Sequence, residues 1–255
     1  MNAPRRNPLA VSLLLAFAGI VFPAAAQTTV RMGVYQNSPK VGLSESGEPE
    51  GIFVDLIEAI ASAERWTIEY VPGTWAEGID RLTAGEIDLM PDVAFSDERG
   101  KRFAFHREPV LSDWFEIYAR RDGGIRALLD LKGRRVAVLA HSIQQDVFGK
   151  MSADFDLDAT LVPFPDFSRA FAAVAKGDAE AVIANRFHGS AYLRGGKIED
   201  TGIIFHPTRV FFAAHPDGAP ALLDAIDRHL RQMKSDPLSA YYRSLERWTA
   251  ENIGL

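Results

Sequence analysis

The sequence predicts an α/β protein of two similar lobes, each a mostly parallel sheet flanked by helices. Three observations lead there. Strand-like apolar segments alternate with amphipathic helical ones, the order expected of parallel strands joined by helical crossovers. One unit of helix, glycine, acid and apolar strand occurs twice, as "LTAGEIDLM" and as "VAKGDAEAV", and a repeat of this size implies two copies of one architecture. At 255 residues with 47% apolar side chains, the chain can build one large core or two modest ones.

In the first copy, "TVRMGVY" (29–35) alternates apolar with polar residues and runs into a turn at "QNSP". "GIFVDLIEAIASAERW" (51–66) sets Phe53, Leu56, Ile57 and Ile60 at helical spacing. The strand "TIEYV" follows, then a helix from Trp75 to Thr83 stopped at Gly85, then a buried strand in "IDLMPDV". In the second copy, "LKGRRVAVLAHSIQQDVFGK" (131–150) reads as strand, turn at His141 and Ser142, and helix. "FSRAFAAVAKGDAEAVIANRF" (167–187) reads as helix, stop at Gly177, and strand.

"DWFEIYARRDGG" (113–124) and "GIIFHPTRVFFAAHPDG" (202–218) are long β-like stretches, expected to cross between the lobes. The closing segments "PALLDAIDRHLRQMK" and "PLSAYYRSLERWTAEN" read as helices, each with a proline in its first turn, that return to the first lobe. The expected division is residues 1–26 as a leader, 27–118 with 209–255 as one lobe, and 119–208 as the other.

The leader reading rests on Arg5 and Arg6, the apolar run "LAVSLLLAFAGIVF" (9–22), and small residues at Ala24 and Ala26 before Gln27. The 14-residue run is short of the about 20 residues that span a bilayer, so a cleaved secretory signal is expected rather than an anchor, with cleavage near Ala26 and a periplasmic product. Two of the 28 basic residues and none of the 34 acids lie in the leader, so the mature charge is −8 rather than −6. Nothing in that balance supports nucleic-acid binding. The chain has no cysteine, which excludes disulfides, thiol nucleophiles and cysteine-based zinc sites. Its six histidines, at 106, 141, 188, 206, 215 and 229, show no metal-ligating spacing, and no phosphate-cradling or nucleophile-elbow motif occurs. Neither metal nor cofactor is expected.

"GIFVDLIEAIA", "W…GIDRLTAGEIDLM", "SDERGKRFAF", "DLKGRRVAVLAHS" and "FAAVAKGDAEAVIAN", in this order, resemble the type II periplasmic solute-binding proteins, in particular family 3, which binds polar amino acids for ABC importers. "AVIANRFHGSAYL", "LLDAIDRHLRQMKSDPLSAYYRSLERW" and the pair Tyr241 and Tyr242 resemble a subset of that family, the extracytoplasmic sensor modules of histidine kinases and cyclases. The resemblance implies a Venus-flytrap whose two lobes close on a small carboxylate-bearing, amino-acid-like solute. It also implies a monomer whose membrane partner is an ABC permease or a transmembrane signalling protein. The chain stops at Leu255, as a free-standing binding protein or as a module taken from a receptor.

The resemblance also assigns site residues. Arg99 falls where the family's arginine takes the ligand carboxylate in a two-bond fork, a task suited to planar guanidinium; on residues alone, Arg99 also reads as a surface partner of Asp97 or Glu98. Asp92 and Ala94 stand where relatives face the ligand with hydroxyls or carbonyls, and Asp92 reads equally as the receiver of an ammonium or as a turn cap before Ser96. Trp75 falls where relatives place an aromatic or apolar side chain against the ligand, or else it belongs to the lobe core. Ser142 aligns with a carboxylate-binding hydroxyl and reads also as a helix N-cap, beside His141 in place of a common glycine. Tyr35, ending the opening strand, joins the set. Asn185 departs from the aspartate that transport-type relatives pair with an α-amino group: either the ligand lacks an ammonium or Asp92 has taken over that role. Arg186, next on the strand, is expected to point to the opposite face. One enzymatic alternative stays open, a prephenate or arogenate dehydratase on the same fold with Asp92 as its proton donor.

Overall fold

The structure is a computed structural model that describes residues 28–218 and 220–250. The expected leader, with its cleavage position at Ala26, lies outside the described residues. Along the chain come β1 (Thr28–Val34), β2 (Gly42–Leu43), β3 (Pro49–Glu50), α1 (Ile52–Glu64), β4 (Trp66–Pro72), α2 (Trp75–Thr83), β5 (Leu89–Ala94), α3 (Asp97–Arg102), β6 (Ala104–Phe105) and β7 (Leu111–Arg120). Then follow β8 (Arg135–Leu139), α4 (Ile143–Asp154), β9 (Thr160–Phe164), α5 (Phe167–Lys176), β10 (Ala181–Asn185), α6 (Arg186–Gly189), β11 (Ile198–Ala214), α7 (Pro220–Ser235) and α8 (Ala240–Ala250).

One mixed sheet of order β4-β1-β5-β11-β7-β10-β8-β9 runs through the molecule, with β6 added on β11. Each end is a parallel triplet: β1 lies between β4 and β5, and β8 lies between β9 and β10. Between the triplets, β11 and β7 run antiparallel to each other and to their outer neighbours β5 and β10. The 17-residue β11 pairs with β7 from Ile198 to Val210 and with β5 from Val210 to Ala214. These two strands are the expected crossovers; β11 starts four residues earlier than the 202–218 reading, at Ile198. Its pairing with β7 shifts register between Asp200 and Ile204 and again between Phe205 and Thr208, so the ladder is interrupted midway between the two halves.

The sequence repeat returns in atomic detail. Arg31 opens one half: its backbone N–H and its guanidinium both bond Asp88, and Nη2 also bonds the Gly85 carbonyl at 3.0 Å. Arg135 does the same in the other half with Glu180 and the Gly177 carbonyl, at 2.9 Å for the latter. In both copies a strand arginine ties the acid just before the neighbouring strand of the sheet to the glycine that follows the helix leading into it.

α7 begins at Pro220, as read from sequence, but α8 begins at Ala240, three residues beyond Pro237, which lies in the turn between them. Both helices pack on α1, where Ser244 and Trp248 bond Asp55, each at 2.8 Å, and Arg228 and His229 bond Glu64. They therefore complete the first half. No helix among the described residues is long and apolar enough to cross a membrane.

One glycine fixes the segment that matters most below. The first helical amides of α1, at Ile52 and Phe53, bond the Pro39 and Lys40 carbonyls at 3.0 and 2.9 Å. Gly51, just before them, has φ 116° and ψ 173°, a region essentially reserved for glycine. A Cβ there would lie 2.7 Å from the Lys40 carbonyl oxygen and 2.9 Å from Val41 Cα. Gly51→Ala is therefore expected to lower the unfolding free energy by about 1–3 kcal/mol or more, read as an earlier denaturant midpoint. An unchanged midpoint would show that this contact does not hold the segment.

Candidate functional site

The strand ends of the two triplets meet around a cavity lined by residues of both halves, among them Tyr35, Lys40, Trp75, Asp92, Asp113 and Gln144. Its free interior admits a water-sized sphere over only ≈ 20 Å³. The halves touch across it: Trp75 Nε1 donates to the His141 carbonyl at 3.1 Å, Asn185 Nδ2 to Asn37 Oδ1 at 2.9 Å, and His188 Nδ1 meets the Ser38 carbonyl at 3.0 Å. These contacts describe a closed cleft.

Its floor is ionic. Lys40 leaves the turn after β1 and is only 3% exposed, with Asp92 at 6% and Asp113 at 1%. Lys40 Nζ lies 2.7 Å from Asp92 Oδ1 and 2.9 Å from Asp113 Oδ2. Asp92 Oδ2 accepts from the Tyr35 hydroxyl and from Asn37 Nδ2, each at 2.7 Å, and Asp113 Oδ1 accepts the Trp114 N–H at 2.8 Å. Asp92 Oδ2 and both Asp113 oxygens thus accept hydrogen bonds, while Asp92 Oδ1 meets Lys40 as an ion pair without one; such pairing is the condition under which buried charge is tolerated. Burial alone would lower the Lys40 pKa; Asp113 and Asp92 outweigh it and hold the ammonium above its ordinary value. Burial pushes the Asp92 carboxyl up, against the opposing pull of Lys40. It also drives the Tyr35 hydroxyl well up, reinforced by Asp92, so Tyr35 stays a donor.

Asp92 reaches this position through backbone irregularity. Its φ is 58°, and β5 pairs Val93 with Phe211 but Met90 with Ala213, so two residues of β5 oppose one of β11. A bulge re-aims a side chain that regular alternation would place elsewhere. Asp92 is not a turn cap: Ser96 caps α3, its Oγ accepting the Arg99 N–H at 3.2 Å.

Arg99 rises from that short helix to the cavity wall. Its guanidinium lies 5.4 Å from the Trp75 ring centroid, a cation–π distance, and Nη1 donates to the Ala94 carbonyl at 3.3 Å. Trp75 meets Tyr35 edge-on at 5.1 Å. Among the described residues no carboxylate lies within ion-pair distance of Arg99; Asp146 and Glu98 act on it only from farther off. Burial pushes its pKa down, so a half-buried cation faces the cavity with carbonyl and ring contacts alone.

Of the residues expected from sequence, Tyr35, Trp75, Asp92, Ala94 and Arg99 line this one cavity. Ser142 is buried behind it as the N-cap of α4, its Oγ accepting the Gln145 N–H at 3.2 Å, while Ile143 and Gln144 form the wall. His141 keeps a left-handed backbone, φ 57°, which presents its carbonyl to Trp75. Asn185 is an interlobe bolt beside the cavity: its Oδ1 caps α6 by accepting the His188 N–H at 3.0 Å, and its Nδ2 holds Asn37. Arg186 does not follow strand alternation, because β10 ends at Asn185 and Arg186 begins α6. It stacks on Trp114 at 4.0 Å and Phe187 at 4.1 Å, with Nε 3.8 Å from Asp113 Oδ1. Lys40, Asn37 and Asp113 were not foreseen. Lys40 and Asp113 are 73 positions apart, and only the closed sheet unites them.

The chain matches the family described as bacterial extracellular solute-binding proteins, family 3, over residues 30–251. It belongs to that family. It is 21% identical over 233 residues to a "probable histidine-binding protein" of Campylobacter jejuni, covering 86% of this chain and 85% of that one. An ancestral arginine-binding protein bound to arginine superposes with TM-score 0.78 at 25% identity, over 87% of this chain and 98% of that one. A histidine kinase sensor domain with similarity to periplasmic binding proteins superposes with TM-score 0.77 at 23% identity, over 88% of this chain and 96% of that one. The fold is therefore the two-lobed Venus-flytrap of type II binding proteins.

Two outcomes follow. Asn185→Asp keeps the α6 cap but sets a carboxylate against the Asn37 amide oxygen, where a donor stood 2.9 Å away. Leaving a buried acceptor without its donor costs about 1–3 kcal/mol, so this variant should unfold at lower denaturant, and an equal midpoint would refute the bolt. His188 is also buried against Phe167, ring centroids 4.8 Å apart, and burial pushes its imidazole down to about 4. The unfolded imidazole binds its proton near 6.5, so stability should fall as pH drops from about 6.5 to 4, by at most about 1.4 kcal/mol per unit from this residue. Denaturant titrations of wild type and His188→Phe across that window should differ in slope; parallel curves would refute the assignment.

Proposed function

We propose that this protein binds a small carboxylate-bearing solute of amino-acid size in its interlobe cleft. It delivers the solute to an ABC-type permease or signals its presence through a transmembrane receptor protein. The observation carrying this reading is Arg99, a half-buried guanidinium on the cavity wall with no carboxylate partner among the described residues. A desolvated cation of fixed fork geometry is completed by a bidentate carboxylate. Tyr35 and Trp75 supply the flat apolar wall that binding sites set beside a few polar groups.

Because so little free volume remains, solute entry requires the halves to part. In this reading the described residues up to 118 and from 209 onward move against 119–208, with β7 and β11 as the crossing strands and the register shifts of β11 as the flexible point. A family of extracellular binding proteins and the leader-like first 26 residues support a periplasmic location. Binding rather than dehydration is supported by the family, described as solute-binding proteins, and by the engagement of Asp92 with Lys40, Tyr35 and Asn37.

Arg99→Ala should leave the fold intact and weaken carboxylate binding at least tenfold, since a charge-assisted hydrogen bond is worth roughly 1.5–3 kcal/mol. Arg99→Lys should recover only part of it, because an ammonium lacks the planar fork. Calorimetry on the folded variants reads both effects; undiminished affinity in Arg99→Ala would overturn the clamp.

A further inference from the structure

The cleft holds two cations and two carboxylates on its lining, Lys40 and Arg99 against Asp92 and Asp113, yet they are not paired one to one. Lys40 contacts both carboxylates, at 2.7 and 2.9 Å, and Arg99 contacts neither within ion-pair distance. Asp92 is further saturated by Tyr35 and Asn37, and Asp113 by the Trp114 amide, with Arg186 Nε at 3.8 Å. Asn185, beside the cavity, is an amide spent on Asn37 and the α6 cap. Both acids on the lining are therefore already engaged by Lys40, Asp92 Oδ1 as an ion pair that accepts no hydrogen bond.

We infer that Lys40 is a built-in counter-ion filling the place of a ligand ammonium, so that the cognate solute is a carboxylate with an oxygen acceptor, such as a 2-hydroxy acid, instead of an α-ammonium. An ammonium has three N–H donors. One Lys40 donor bonds Asp113 Oδ2, the ammonium pairs with Asp92 Oδ1 at 2.7 Å, and a remaining donor serves a hydroxyl, keto or carboxylate oxygen. A zwitterionic amino acid would have to displace Lys40 from a carboxylate while adding a second cation beside it, and like charge in a desolvated site is strongly disfavoured. A hydroxy acid brings one negative charge to Arg99 and one acceptor to Lys40, which satisfies both cations. This inference rests on the proposed carboxylate site and narrows its ligand class.

The test is calorimetric titration of the wild-type protein with matched pairs differing only at the α-substituent: L-alanine and L-lactate, L-phenylalanine and L-3-phenyllactate, L-glutamate and L-2-hydroxyglutarate, L-arginine and its 2-hydroxy analogue. The hydroxy acid of the binding pair should be preferred at least tenfold. In Lys40→Met, Asp92 and Asp113 become open to a ligand ammonium, and the preference should shrink or reverse. Should burial of two unpaired carboxylates unfold that variant, Lys40→Met with Asp113→Asn removes one charge of each sign and should show the same reversal. Tighter binding of the amino acid by wild type, with affinity still lost in Arg99→Ala, overturns the inference and leaves the carboxylate site standing. A selectivity unmoved by removing Lys40 overturns it as well. Failure of every acid to bind overturns the carboxylate reading, and the inference with it.

Discussion

A single buried ammonium organises the cleft. Lys40 stands between carboxylates from two different strands, Asp92 on β5 and Asp113 on β7, and neither acid would be tolerable at this depth without it. Taking three charges from water costs several kcal/mol each, offset only where geometry is good and the remaining lone pairs find donors. That requirement explains the surrounding residues: the Tyr35 hydroxyl, the Asn37 amide and the Trp114 backbone each supply one. The same requirement reaches outward, because Asn37 is held by Asn185 from the other half. Closure of the cleft and satisfaction of its charges are thus one network.

That network also separates two kinds of recognition. Charge that the protein has already balanced gives rigidity and shape, whereas charge left unbalanced gives attraction for a partner. Asp92 and Asp113, paired with Lys40, belong to the first kind; Arg99, with no carboxylate within ion-pair distance among the described residues, belongs to the second under the proposed carboxylate site. The aromatic pair Tyr35 and Trp75 joins them, since Tyr35 donates into the balanced cluster while Trp75 lies beneath the unbalanced cation.

Much of the fold was legible in the sequence because it is written in local signals. Helical spacing marked α1, a glycine followed by an acid marked both copies of the repeat, and the two crossover stretches appeared as long β-like runs. What sequence could not show was how the acids of the repeat are used, since their partners Arg31 and Arg135 lie 57 and 45 positions away. The site divides in the same way. Arg99, Trp75 and Asp92 were found because their surroundings resemble a family pattern. Lys40 and Asp113 escaped because a lysine in a turn and an aspartate in a strand look like surface residues until the sheet closes over them. Asp92 was the hardest to assign, as its direction depends on a bulge that no periodicity encodes. Pro237 misled for a simpler reason: proline suits a first helical turn, and it suits an ordinary turn equally well.

The long central strand bears on how the molecule comes apart. Domains tied by flexible linkers can melt separately, each with its own midpoint, because few contacts cross the boundary. Here β11 pairs with β7 from Ile198 to Val210 and with β5 from Val210 to Ala214, and β7 carries β10 on its far edge, so one sheet and one apolar core run through both halves. Neither half can lose its sheet without stripping hydrogen bonds from a strand the other half needs. Loss of structure is therefore expected to be concerted, a single cooperative transition rather than two.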